Sequence, residues 1–407
     1  MALTNRQRRI LMAAAHAQAA ATIVPTNFQL VSTFTGVSNM AATTVGSFTR
    51  NMGRLGHFTG NANIRRLKLV DAGWSITPGS GLEANQPSNA QTFTRALERT
   101  GGGRSRFLYD GVENFKIAAS GETIFSEDLG DLITIPANTQ FWTRLERINL
   151  LSTDKLNGID RVGLDDDGCR TNGASQLMAS GVINTAGTSG GPVYWPTMLL
   201  GIPDRPLAAV GWRTDSIGNG QGDSNSSGSA GLLHRAFNNV NGYKVPWHRQ
   251  TVGGATMVNC QVAVSPKTTA LWQYLTDIFF HLGTNDIVFT TDLEVLKARF
   301  VNMASFAHSV VGPYGYRLRV HASSIIPRGG FSAAQNTLRT GYNNWLASGA
   351  NGYCDKYYDI NAAAGDFTTY PADQVHPGPT DHANMAAVIA SEFVPYLDPL
   401  FEARLAA

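Results

Sequence analysis

The chain has 407 residues, of which 43% are hydrophobic and 15% charged, so we expect a folded protein with a large interior and exclude an intrinsically disordered chain. Its 32 basic and 30 acidic residues are spread without a long run of either sign, and the net charge of +2 gives no electrostatic reason to expect nucleic acid as a ligand. A chain of this length exceeds one ordinary hydrophobic core, which predicts two domains.

Residues 1–22 combine a basic start with an alanine-rich stretch. His16 and Gln18 interrupt the apolar run, so we interpret it as a retained N-terminal helix for attachment or packing, not as a cleaved signal peptide. No segment approaches the roughly 18 apolar residues that cross a membrane. The three cysteines, Cys169, Cys260 and Cys354, lie far apart without metal-site spacing, which favours buried thiols over a disulfide framework.

Residues 23–200 contain short segments rich in β-branched and aromatic residues, separated by Gly, Asn, Ser and Pro. Strands are predicted at 28–35, 66–74, 114–119, 132–135 and 140–150. Strands at this spacing predict an all-β domain, a sandwich or jelly roll. Residues 201–206, with two prolines, are predicted to be a linker.

From residue 207 to 407 the pattern alternates between apolar strands and amphipathic helices. Strands are predicted at 207–212, 277–282 and 316–326, and helices at 231–240, 291–309, 333–346 and 380–397. This alternation predicts an α/β domain with a parallel sheet covered on both faces. Reactive loops in such sheets lie beyond the carboxyl ends of the strands.

Four segments in this half carry chemistry in a fixed order. They are Thr214-Asp215-Ser216-Ile217, Gly253-Gly254-Ala255-Thr256, Gly283-Thr284-Asn285-Asp286 and Asp373-Gln374-Val375-His376-Pro377. Together they supply a hydroxyl nucleophile, backbone and side-chain donors for an oxyanion, and an Asp/His pair. That set is sufficient to hydrolyse an ester through an acyl-enzyme.

The four segments resemble blocks I, II, III and V of the SGNH (GDSL-type) hydrolase superfamily, over about residues 205–400. The resemblance implies a three-layer α/β/α sandwich around a parallel sheet, and no cofactor or metal. It implies Ser216 as nucleophile, His376 as general base and Asp373 as the residue that orients it. The oxyanion would be held by Gly254, Asn285 and the Ser216 amide.

Block I departs from the family pattern, because Thr214 stands where the family usually has glycine. A literal Gly222-Asp223-Ser224 follows, so Ser224 is the alternative nucleophile; we favour Ser216 because a strand precedes it. Beside the nucleophile, Trp212, Arg213 and Asp215 are candidates for the substrate pocket, although Trp212 and Arg213 could equally pack and cap the strand end.

These observations predict a serine esterase that acts on small acyl esters, with an O-acetyl group on a carbohydrate as the expected substrate and the β-rich half positioning the polysaccharide. One alternative is a structural or adhesion protein of a virion or surface assembly with a secondary or inactive hydrolase domain, and another is a lipid acyl hydrolase. The N-terminal helix and β-rich half are candidates for mediating a homo-oligomer or larger assembly, which favours a surface, extracellular or virion-associated location.

Overall fold

The computed structural model describes residues 25–37, 43–44, 50–77, 79–85, 91–117, 121–148, 155–156, 167–171, 174–179, 181–183, 196–223, 231–290, 292–370 and 373–393. The predicted helix at residues 1–22 and the alternative nucleophile Ser224 lie outside these ranges.

Strands occur in both halves of the chain among the described residues. They are β1 (Gln29–Leu30), β2 (Thr35–Gly36), β3 (Thr43–Thr44), β4 (Arg50–Phe58), β5 (Ile64–Ala72), β6 (Trp74–Ile76), β7 (Glu83–Asn85), β8 (Gln91–Arg99), β9 (Arg104–Arg106), β10 (Asn114–Ile117), β11 (Thr123–Phe125), β12 (Gln140–Ile148), β13 (Lys155–Leu156), β14 (Asp167–Thr171), β15 (Met198–Pro203), β16 (Val210–Thr214), β17 (Trp247–Thr251), β18 (Asp277–His281), β19 (Arg319–Ser323) and β20 (Lys356–Tyr358).

The helices described lie in the second half. They are α1 (Leu232–Phe237), α2 (Pro266–Ala270), α3 (Asp286–Phe289), α4 (Leu293–Ser309), α5 (Ala333–Ala347) and α6 (Pro379–Glu392), with short 3-10 helices at Val258–Cys260, Leu271–Tyr274, Ala350–Gly352, Ala362–Ala364 and Phe367–Thr369. The predicted helices at 231–240, 291–309 and 333–346 are confirmed within a few residues, as is the start of the one at 380–397. None of the helices described here is long and apolar enough to span a bilayer.

Six strands form a parallel sheet in the order β2, β17, β16, β18, β19 and β20. The central strands β16, β17 and β18 are buried along their full length, as expected when helices cover both faces of a sheet. On β18, Ile278 and Phe280 belong to one core cluster with residues of α4 and α5. Phe279 points to the other side and belongs to a second cluster with residues of α1 and α6. The predicted parallel sheet, covered on both faces, is therefore confirmed.

Two antiparallel sheets dominate the first half. One has the order β1, β15, β5 and β11; the other has the order β10, β8, β12, β4 and β14, with β9 paired to β8. A third core cluster contains apolar residues of both sheets, including Leu69 and Leu199 from the first and Leu97 and Leu145 from the second. The sandwich or jelly-roll assignment itself stays a prediction.

The four-stranded sheet has two buried faces. Leu199 of β15 belongs to the cluster shared with the other antiparallel sheet, whereas Met198 and Leu200 belong to the cluster that contains Ile278 of the parallel sheet. Because neighbouring residues of a strand point to opposite faces, this one strand contributes to both cores. The two halves of the chain are therefore joined by continuous apolar packing.

The structure corrects three predictions along the chain. Residues 201–203, predicted to begin a linker, instead complete strand β15 and pair with β5 across a bulge. Residues 35–36, predicted to belong to the β-rich domain, form the edge strand of the parallel sheet beside β17. Residues 132–135, predicted as a strand, contribute only the isolated bridge between Ile64 and Ile135, because Pro136 follows at once.

Candidate active site

Three of the predicted segments leave the parallel sheet at the same level. Thr214 pairs in register with Thr251 of β17 on one side and with His281 of β18 on the other. The amide of Asp215 donates to the His281 carbonyl at 3.4 Å, and the amide of Val252 donates to the Thr214 carbonyl at 3.0 Å. Loops that begin at one edge of adjacent parallel strands enclose a common crevice.

A hydrogen-bonded chain of three side chains lies at this edge. His376 Nε2 is 2.8 Å from Ser216 Oγ, and His376 Nδ1 is 2.5 Å from Asp373 Oδ2. Ser216 is partly exposed, and the His376 side chain is 13% exposed, so both are within reach of a solute. The structure thus brings together three residues that the sequence separates by up to 160 positions.

Asp373 also organises the loop that carries the imidazole. Its Oδ1 accepts hydrogen bonds from the amides of Val375 at 2.9 Å and His376 at 3.0 Å. Partial desolvation opposes ionisation, but these amides and the His376 ring outweigh it and lower the pKa of Asp373 to about 2. Asp373 is therefore ionised at neutral pH, suited to stabilise a charged imidazole.

The same loop stores backbone strain. Gln374, between Asp373 and His376, has a φ of 56°, a left-handed conformation that costs a non-glycine residue on the order of 1 kcal/mol. Its carbonyl accepts from the amide of Gly329 at 2.7 Å, in the loop that follows β19. A neighbouring strand end therefore holds the loop in this conformation.

The two predicted oxyanion segments are tied to each other. Asn285 Nδ2 donates to the Ala255 carbonyl at 3.0 Å, and the amide of Met257 donates to Asp286 Oδ2 at 2.9 Å. Gly254, which is exposed, has a φ of 73°, a conformation that disfavours any residue with a Cβ. The side-chain amide nitrogen of asparagine carries two hydrogens, so Asn285 Nδ2 keeps a second donor hydrogen besides the one that it donates to the Ala255 carbonyl.

The residues expected to line the substrate pocket lie inside the protein instead. Trp212 is fully buried, with its ring stacked 4.5 Å from that of Trp247. Arg213 is also fully buried, and its Nη2 donates to Ser265 Oγ at 2.5 Å. Both side chains belong to buried strand β16, so they pack within the domain and do not face solvent.

Asp215, the third expected pocket residue, is also fully buried, directly before Ser216. Its Oδ1 accepts from the amide of Ile217 at 3.0 Å, which shapes the turn that carries Ser216, whereas Oδ2 has no hydrogen-bond partner among the described residues. Burial, reinforced by the charge of Asp286, outweighs the amide hydrogen bonds and raises the pKa of Asp215 to about 7.

Two other histidines near Ser216 form hydrogen bonds outside the Ser216–His376–Asp373 chain. His281 Nδ1 is 2.6 Å from Ser323 Oγ, and burial lowers the pKa of His281 to about 4. His382 Nε2 is 3.2 Å from the Gln221 carbonyl, which joins helix α6 to the turn after Ser216. Their buried hydrogen bonds fit a structural role.

Sequence reasoning missed two residues beside the triad. Gly222 has a φ of 91°, and a Cβ there would collide with the Pro377 carbonyl, so the nucleophile turn packs directly on the histidine loop. Arg328 is partly buried; burial lowers the pKa of its guanidinium, and the charges of Asp373 and Asp215 oppose that shift. A signal was available for Arg328, because it follows β19, the next strand of the same sheet.

Within the described part of the chain, no group of three or more His, Cys, Asp or Glu side chains is arranged to hold a metal ion. Cys260 and Cys354 are buried free thiols.

Comparison with known proteins gives structural likeness only. No family model matches the chain, and no curated protein matches it. Many of the matching solved structures are GDSL-type lipolytic hydrolases and carbohydrate esterases, the superfamily that the four segments resemble.

One match is the lipase Lip_vut3 from a goat rumen metagenome, with 15% identity and a TM-score of 0.39 over 45% of this chain and 96% of that one. A family two carbohydrate esterase from Clostridium thermocellum, in complex with cellohexaose, has 12% identity and a TM-score of 0.37 over 85% of this chain and 92% of that one. A GDSL-family lipolytic protein from Veillonella parvula has 16% identity and a TM-score of 0.34, over 44% and 95%. At these values the functional proposal depends on the site geometry.

Proposed function

We propose that the protein is a serine esterase that hydrolyses small acyl esters through an acyl-enzyme. The observation that carries the proposal is the position of His376, with Nε2 2.8 Å from Ser216 Oγ and Nδ1 2.5 Å from Asp373 Oδ2. Those separations suit a nucleophile, its base and the group that orients the base.

In the proposed cycle, Ser216 Oγ attacks the ester carbonyl carbon while His376 Nε2 accepts the hydroxyl proton. Asp373, ionised at neutral pH, stabilises the imidazolium that results. Collapse of the tetrahedral intermediate breaks the bond to the alcohol oxygen, which takes the proton from His376. Water then attacks the acyl carbon while His376 takes its proton. The bond between the acyl carbon and Ser216 Oγ breaks, His376 returns the proton to Oγ, and the acid is released.

We propose that three donors hold the oxyanion during both steps: the amides of Ser216 and Gly254 and the second amide hydrogen of Asn285. The first hydrogen of Asn285 is used on the Ala255 carbonyl, which fixes the plane of the side-chain amide. Fixed donors stabilise a developing charge without reorganising, and each is typically worth about 10²- to 10³-fold in turnover.

For the natural substrate we propose an O-acetyl group on a carbohydrate, with the β-rich half as the surface that receives the sugar chain. The support is spatial: the β6–β7 hairpin of that half touches the segment that carries Gly254, with the Gly79 amide 3.2 Å from the Gly253 carbonyl. We propose that the alcohol group of the bound ester extends toward this hairpin.

One observation favours the alternative of a lipid acyl hydrolase. Phe289 and Val288, four and three residues from Asn285 in the chain, are 76% and 45% exposed. Exposed apolar side chains beside an ester site can receive a longer acyl chain. Under this alternative the preferred ester is long and Phe289→Ser reduces that preference, whereas under the acetylesterase proposal Phe289→Ser leaves acetate turnover unchanged.

The test is turnover of p-nitrophenyl esters from acetate to laurate by wild type, Ser216→Ala and Ser224→Ala. We expect acetate to be preferred, Ser216→Ala to lose at least about 10³-fold in kcat, and Ser224→Ala to keep wild-type activity. Loss of activity only in Ser224→Ala would show that Ser224, and not Ser216, is the nucleophile. No turnover by folded wild type on any ester would favour the structural or adhesion role over an enzyme.

A further inference from the structure

The β6–β7 hairpin makes a contact that the proposed reaction does not explain. It belongs by sequence to the β-rich half, yet it packs against the loop that carries the proposed oxyanion donor Gly254. Its two strands pair from Trp74 with Asn85 to Ile76 with Glu83. The turn between them, residues 79–82, faces residues 253–265 of the catalytic half.

Hydrogen bonds join the turn to that loop at successive points. The Gly79 amide donates to the Gly253 carbonyl at 3.2 Å, next to Gly254. Asn259 Nδ2 donates to the Ser80 carbonyl at 2.9 Å, while Asn259 Oδ1 accepts from the Thr256 amide at 2.9 Å. One side-chain amide therefore links the hairpin to the end of the loop.

The far side of the hairpin is attached to the helix that follows. The Glu83 carboxylate accepts from the amides of Lys267 at 3.0 Å and Thr268 at 2.6 Å. Apolar packing adds to these bonds, because Trp74 and Ile76, each 1% exposed, belong to the same core cluster as Ala255 and Met257. The hairpin and the loop thus share hydrogen bonds and a core.

The buried Arg213 connects this contact to the nucleophile's own strand. It lies three residues before Ser216, and its Nη2 donates to Ser265 Oγ at 2.5 Å. Ser265 Oγ in turn donates to the Gly81 carbonyl at 3.2 Å. A continuous set of bonds therefore runs from strand β16 through Arg213 to the hairpin turn.

We propose that the hairpin, residues 74–85, is a clamp that fixes the Gly253–Thr256 loop relative to Ser216, with Asn259 as the positioning residue. The catalytic consequence depends on the esterase function proposed above: a loop displaced by about 1 Å would no longer direct the Gly254 amide at the oxyanion. The β-rich half would then take part in building the oxyanion site besides receiving any ligand.

Two glycines of the turn provide a matched test. Gly79 and Gly81 have φ values of 78° and 69°, so alanine is strained at both. A Cβ at Gly79 meets nothing within 4 Å, whereas one at Gly81 collides with the Asn259 carbonyl. Gly81→Ala therefore displaces the turn from the loop, and Gly79→Ala controls for the backbone strain alone.

We expect Gly81→Ala to accelerate hydrogen–deuterium exchange of amides 252–257 at least tenfold and to lower kcat on p-nitrophenyl acetate about tenfold, with KM within twofold. Gly79→Ala should keep both exchange and kcat near wild type. Equal exchange in the two variants would overturn the clamp, and faster exchange with unchanged kcat would overturn its catalytic role. If wild type hydrolyses no ester, the proposed function is wrong, but the exchange rates of the two variants still test whether the hairpin fixes the loop.

A second pair covers the case in which Gly81→Ala does not fold. Asn259→Asp keeps the acceptor for Thr256 but places a carboxylate oxygen against the Ser80 carbonyl, so we expect the same faster exchange and lower kcat. Asn85→Asp makes the same chemical change at the end of the hairpin, where Lys267 Nζ lies 3.0 Å from Asn85 Oδ1, and should leave both unchanged. Wild-type behaviour of Asn259→Asp would contradict the proposal.

Discussion

Two buried carboxylates, Glu98 in the antiparallel half and Asp215 beside Ser216, respond to burial in opposite ways. In the antiparallel half, Glu98 accepts from Arg144 Nε at 2.6 Å and from Arg54 Nε at 3.0 Å. Burial opposes its ionisation, but the two guanidinium groups outweigh burial and lower the pKa of Glu98. In the parallel half, Asp215 forms no ion pair among the described residues, and burial raises its pKa to about 7 against the opposing charge of Arg328.

The two cases distinguish a buried charge that stabilises the fold, Glu98, from a buried acid at the candidate active site, Asp215. Glu98 is neutralised by its guanidinium partners, as are Asp71 by Arg95 and, in the parallel sheet, Asp277 by Arg319, each at 2.5 Å, so these ion pairs hold the fold together. Asp215, next to Ser216, is the opposite case: its Oδ2 is buried with no hydrogen-bond partner among the described residues. Perturbed groups of the second kind are typical of functional sites.

The largest effect should come from the triad itself. Asp373→Asn removes the anion that stabilises the imidazolium, and we expect kcat on p-nitrophenyl acetate to fall by about 10³- to 10⁴-fold. The matched control is Asp359→Asn, because Asp359 Oδ1 also accepts from an amide two residues on, at 3.1 Å, away from the triad. Equal activity in the two variants would remove Asp373 from the mechanism.

A smaller loss is expected at the oxyanion site. Asn285→Ala removes a proposed donor and should lower kcat by about 10²- to 10³-fold with little change in KM. Asn285→Asp keeps the shape but not the donor hydrogens, so steady-state kinetics should show a comparable loss. If Asn285→Asp is as active as wild type, the side chain is not an oxyanion donor.

In the antiparallel half the expected effect is on stability. Glu98→Gln removes the carboxylate that Arg54 and Arg144 share and should lower the free energy of unfolding by about 3 kcal/mol in urea denaturation. The folded variant should keep wild-type kcat. Glu392→Gln is the control, because its pair with Lys356 is exposed and should contribute less than about 1 kcal/mol. An equal cost in both variants would break the comparison between the halves.

The smallest effect concerns the pH dependence set by Asp215. Its folded pKa of about 7 exceeds its unfolded value of about 4, so the folded state binds the proton more tightly and stability falls as pH rises from about 4 to 7. Between pH 6 and pH 8, Asp215→Asn should remove about 1 kcal/mol of this decline. Urea unfolding of both proteins at the two pH values measures it, and parallel pH profiles would show that Asp215 does not titrate in this range.

Much of the catalytic half could be predicted from the sequence. The helix predicted at 291–309 begins at Leu293 and ends at Ser309, and the strand predicted at 277–282 covers Asp277–His281. Both have long apolar patterns that local periodicity reports well. The two-residue strands 29–30 and 35–36 have no such periodicity, and their partners lie some 170 and 210 residues away.

By itself the sequence determined which reactive groups the protein has, in what order they occur, and that Ser216, Gly254 and Asn285 each follow a strand. Apolar runs and glycine turns are local, so a linear pattern can report them. Only the tertiary structure decided that Arg213 is a buried anchor, that residues 35–36 join the parallel sheet, and that the 74–85 hairpin rests on the Gly253–Thr256 loop. Those outcomes depend on pairing and packing between distant segments, where burial and hydrogen-bond geometry select the partner and no spacing in the chain records it.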